Sequence, residues 1–228
     1  MRASRVLRPL VLLGLAAGAA AITSASLGYF NDDELPAFVI EKLPLPYEDL
    51  WLWALRAHVV AALWSLPACL FLSLDVVMKR LPRVHRWVGR VTGVGILFAL
   101  VPSGFYLSLF AKGGLPATVG FMLSGVVTLV AMARAVLTAR ARRFVEHRRW
   151  TMHVLAQLSV AVTSRVMMLG FDALDVEPLT AYLISLWVPV VGSAGLVEVL
   201  FHPRAAPRRS HGPLRIAHDP HPVHAGAR

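Results

Sequence analysis

Apolar positions in this chain run in six long blocks, and most of the charge lies between the blocks. A helix crosses the hydrocarbon core of a bilayer with about 20 predominantly apolar residues. Blocks covering about residues 9–30, 51–78, 91–111, 116–139, 151–171 and 179–201 meet that length. They predict an all-α, polytopic membrane protein of six transmembrane helices over residues 1–201, with spans two to five forming the core bundle. Loops three and five are short, so the helices on either side of each should be antiparallel neighbours. Pro67, Pro102 and Pro189 fall inside spans and should kink them. The first outer loop, 31–49, is Pro-rich and acidic and should be partly ordered at most. The tail, 202–228, is rich in Pro, Arg and His without apolar periodicity, and reads as disordered.

Composition agrees. Hydrophobic residues make up 57 % and charged residues only 16 %, which excludes a disordered chain and disfavours a water-soluble enzyme. The single Cys69 excludes an intrachain disulfide and a cysteine metal cluster. The net charge of +10 suggests nucleic acid until it is mapped. With the N-terminus inside, the four inner segments and Arg134 hold 19 of the 23 Lys and Arg, whereas nine of the 13 acids lie in outer loops. This is the positive-inside pattern. It predicts a multi-pass protein of a bacterial inner membrane with both termini cytoplasmic, the lipid bilayer as its partner and no nucleic-acid role. The first block follows Arg2, Arg5 and Arg8 and resembles a cleaved signal peptide. Its length and its terminal Tyr29–Phe30 favour an uncleaved anchor.

Ionisable residues at membrane depth are costly, usually paired and often functional. His58 lies about 10 Å below the outer surface, on a face with Ala62, Ser65 and Cys69. His85 opens the third span, with Gly89 and Gly93 on its face, and His147 opens the fifth. His153 points about 120° away from His147, with Gln157 and Ser164. His85 with either His147 or His153 meets the depth condition for gripping one haem iron from both sides. Arg86, Arg90, Arg148 and Arg149 would neutralise the propionates. His85, His147 and His153 are alternatively a three-histidine zinc set with an open position for water. They are equally compatible with no cofactor, as helix-end hydrogen bonding. For His58 the partners at comparable depth are Met122, Met167 and Met168. Arg165 either snorkels outward to Asp172 or Asp175 or faces inward to an anionic head group, and Asp75 and Arg134 share a depth at which they can pair.

His58, the string His85-Arg86-x-x-Gly89-Arg90 and the string His147-Arg148-Arg149-Trp150 resemble a bacterial family of predicted membrane proteins of unknown function. The resemblance covers residues 52–168. More loosely, the arrangement is similar to four-helix transmembrane b-type cytochromes and ferric-reductase-like domains, which carry His pairs on alternate core helices. Here spans two, three and five carry His and span four has none, so the analogy implies one inner haem at most. The readings that follow are a single b-type haem electron-transfer protein with a redox or small-molecule partner, a zinc-dependent membrane hydrolase, and a non-catalytic carrier or partner subunit.

Overall fold

The computed structural model describes residues 3–31, 36–42, 44–45 and 47–201. Among these, six helices are long and apolar enough to cross a membrane. The expected tail, 202–228, lies outside the described residues. Helix α1 (Ala3–Ser26) runs into a 3-10 turn, Leu27–Phe30, and a short α2 (Ala37–Ile40) follows. The second span is α3 (Glu48–Leu72), and α4 (Asp75–Arg80) comes after it. The third is built from α5 (Pro82–Gly95), a π turn (Ile96–Leu100) and α6 (Val101–Ser108). Helices α7 (Gly114–Arg140), α8 (Phe144–Ala173) and α9 (Pro178–Phe201) complete the set.

Spans two to five close a four-helix ring. Helix α3 packs on the third span, the third on α7, α7 on α8, and α8 back on α3. Helix α1 lies against α3 and α8, and α9 against α7 and α8. The ring's centre holds Ala61, Ile96, Leu100, Ala131, Ala135 and Val154. One polar side chain ties α7, α8 and α9 together. Gln157 of α8 accepts from the Ser124 hydroxyl of α7 at 2.9 Å, and its amide donates to the Val190 carbonyl and Ser193 hydroxyl of α9 at 3.0 and 3.2 Å.

Several boundaries differ from the apolar blocks, each for a local reason. The second span stops at Leu72, where Ser73 turns its hydroxyl back to the Leu70 carbonyl, and Asp75 opens a separate helix. The third starts nine residues earlier than its block because Pro82, which has no amide hydrogen to satisfy, opens α5. Helix α8 likewise starts at Phe144. Consequently His85 and His147 are each the fourth residue of a helix, about one turn in.

Pro67 and Pro189 sit inside continuous helices. Pro102 is the second residue past the π turn, in which the Val101 amide reaches the Ile96 carbonyl five residues back. Helices α7 and α8 both end in a left-handed residue, Arg142 at φ 58° and Asp175 at φ 53°. In each case the next amide bonds back across the turn, Arg143 to Thr138 and Val176 to Phe171, a Schellman closure without its usual glycine.

The described part of the first loop packs against the bundle. Val39 of α2 is fully buried against Trp51, Leu55 and Val59. Lys42 donates to the Phe110 carbonyl, and Lys112 pairs with Glu41 at 3.2 Å. Burial, and then the neighbouring Lys112, pull the Lys42 ammonium below the usual lysine range.

Candidate functional site

The helix-start strings place two imidazoles at the same end of the bundle, opposite these loops. His147 Nδ1 lies 2.8 Å from the Ala135 carbonyl of α7. A carbonyl only accepts, so Nδ1 carries the hydrogen and the lone pair of the neutral ring is on Nε2. Among the described residues, Nε2 has no hydrogen-bond partner. His85 opens α5 at that same end. Its own Nδ1 is buried and has no partner among the described residues. Beside it, a side chain added at Gly89 would meet nothing within 4 Å, whereas Gly93 packs on Met132 and Val136. Arg86 and Arg90 are exposed on the same helix.

His153 does not join this pair. It is buried, and its Nε2 hydrogen goes to Glu198 Oε1 of α9 at 2.8 Å. The other Glu198 oxygen takes the Arg149 guanidinium. His153, Arg149 and Gln157 all reach α9 from α8. Among the described residues, no group of three or more His, Cys, Asp or Glu gathers into a metal shell, so the three histidines of the zinc reading do not converge. Trp150 sits in the midst of this second cluster, its ring centre 5.6 Å from that of His153, 5.6 Å from the Arg149 guanidinium and 6.0 Å from that of Arg134. Arg134 thus stacks on Trp150 and not on Asp75, which belongs to α4 beyond the end of the second span.

His58 is held by the third span. Its Nδ1 donates to the Leu100 carbonyl at 3.1 Å and lies 3.2 Å from the Ser103 hydroxyl. The ring rests on Gly104, where an added Cβ would stand 3.1 Å from Cε1. Arg165 is exposed, and it bends back along α8 to the Ala161 carbonyl at 2.8 Å, away from Asp172 and Asp175.

A family model described as "Predicted membrane protein (DUF2306)" matches residues 55–201. The chain belongs to that family. The matched region takes in His58, both members of the His85–His147 pair, and the His153–Glu198 pair, and it omits α1. No curated protein and no solved structure matches the chain.

In this family member the sequence reading missed the role of Glu198. The signal was available: a lone carboxylate near the end of span six, and two basic or imidazole groups near the start of span five, at the same end of antiparallel helices. The Gln157 bridge was visible only as a polar residue on the His153 face.

Proposed function

We propose that this integral membrane protein carries single electrons through one b-type haem at the basic end of the bundle, in a bacterial inner membrane with that end toward the cytoplasm. His85 and His147 would be the axial imidazoles. The observation behind this reading is the buried, unpartnered Nδ1 of His85 at the same end of the bundle as His147, whose own Nδ1 is fixed to the Ala135 carbonyl. Such a second-shell bond sets the tautomer and orientation of a ligating histidine. Two imidazoles at one end of the bundle without a third ligand suit a haem better than a zinc shell. The haem, when bound, supplies one-electron redox chemistry. The chain supplies the two imidazoles, room beside Gly89, and Arg86 and Arg90 as counter-charges for propionates.

The test is the absorption spectrum of detergent-purified protein produced with ample haem, oxidised and then dithionite-reduced. A Soret band that shifts on reduction, with a sharp alpha band, is expected. His85→Ala and His147→Ala should abolish that low-spin signature, whereas His153→Ala and His58→Ala should keep it. A featureless spectrum from monodisperse wild-type protein overturns the reading.

A further inference from the structure

The outward side of α5 carries charge as well as apolar surface. Arg83, Trp87, Arg90 and Val94 recur at intervals of four, three and four residues, so they fall within about 60° of one another around the helix. All four are exposed, Trp87 to 63 % and Val94 to 59 %. His85 and the buried Thr92 lie on the far side. Beyond Val94 the span continues to face outward, with Phe98 of the π turn 76 % exposed. The stripe thus passes from two cations and an indole to bare apolar surface, the order met on going from lipid head groups to acyl chains.

Setting the orientation of the span does not account for this arrangement. A cation needed only for topology belongs in the loop ahead of the span. Arg90 instead stands about 4–5 Å deeper than Trp87, a residue type that settles at head-group level. Side chains of a helix tilt toward its N-terminus, here the basic end, so Arg90 leans back to the level of Trp87. Among the described residues, neither Arg83 nor Arg90 has an ion-pair or hydrogen-bond partner, and the exposed Trp87 N–H has none either. Two acids at this end are engaged elsewhere, Glu146 with Arg143 and Glu198 with Arg149. A guanidinium at head-group depth without a carboxylate matches phosphate, which its planar fork takes with two hydrogen bonds. Arg83 and Arg90 start about 10 Å apart along the axis and lean the same way, so the pair suits two phosphates rather than one.

We propose that this stripe holds a two-phosphate anionic phospholipid of the diphosphatidylglycerol kind. One phosphate sits on Arg83 and the other on Arg90, with the Trp87 indole between them and an acyl chain along Val94 and Phe98. The proposal does not rest on haem. Arg90 is common to both sites, so the decisive variants are at Arg83 and Trp87.

Native mass spectrometry of the detergent-purified chain, titrated with tetraoleoyl diphosphatidylglycerol, counts the lipid retained. Wild type should retain one per chain and bind it about tenfold tighter than dioleoyl phosphatidylglycerol, which has one phosphate. Arg83→Gln and Trp87→Leu should each weaken retention about fivefold while keeping the wild-type unfolding midpoint in lipid-free detergent, because both residues are exposed. Arg140→Gln removes the same charge from an exposed residue at the same end, the last of α7, and should leave retention unchanged. Equal weakening by Arg140→Gln would assign binding to the summed charge of that end and overturns the proposal. Equal affinity for dioleoyl phosphatidylglycerol overturns it as well. So does a chain that runs as a dimer and retains no lipid, which would give the stripe to a second copy.

Discussion

His58 of the second span donates its Nδ1 hydrogen to the carbonyl of Leu100, the last residue of the π turn in the third. The bond joins two core helices where the backbone ladder of one of them is irregular. Replacing His58 with Phe keeps a ring against Gly104 and removes the donor. The expected loss is about 1–2 kcal/mol, that of a hydrogen bond with its acceptor left buried. It would be read as a lower unfolding midpoint in detergent, and an unchanged midpoint would show that the bond does not hold the two spans together.

Gln157 should be worth more than a single contact, because its amide serves α7 and α9 at once. Interhelical polar bonds in membranes average about 0.6 kcal/mol each. Gln157→Leu therefore removes about 2 kcal/mol across three bonds, and Ser124→Ala alone should cost about a third of that. A double substitution costing the plain sum of the two singles would show that Ser124 and Gln157 are not coupled.

Acid should loosen the start of α9. The Glu177 carboxylate accepts from the amides of Leu179 and Thr180 at 2.9 and 2.6 Å. The Thr180 side chain first, and then these two amides, hold its carboxyl below the usual carboxylate range. A carboxyl held low in the folded state stabilises that state above its unfolded value, and the contribution is lost as pH falls through the folded value. Wild type should thus unfold at a higher temperature than Glu177→Ala near neutrality, and the two should converge as the pH drops below about 4. A gap that stays constant with pH would mean that the charge on Glu177 is not what caps the helix.

Number, order and ring arrangement of the helices were legible in the sequence, because span length and loop length are properties of the chain itself. The shared end of His85 and His147 was legible as well, since both open helices there. Partner choice was less so. Depth alone left His147 and His153 as alternatives beside His85, while the rotation of α8 sends His153 to Glu198. Arg134 and Asp75 matched in depth, but the break at Ser73–Leu74 sets Asp75 on a different helix. The order of the first loop depended on one residue, Val39, finding a slot among Trp51, Leu55 and Val59, which no local pattern announces.

The π turn carries a consequence for every residue beyond it in the third span. One extra residue in a turn advances the following helix by about 100°, so Ser103, Gly104 and Phe105 occupy a phase that an uninterrupted α-helix would not give them. That phase brings Gly104 under His58 and Phe105 against Gly125, where an added Cβ would stand 2.4 Å from the ring. Deleting a single residue between Ile96 and Leu100 would leave composition, hydropathy and span length almost untouched. It would nonetheless swing the far half of the span off both neighbours, so the turn acts as a frame marker that fixes which faces of this helix the rest of the bundle reads.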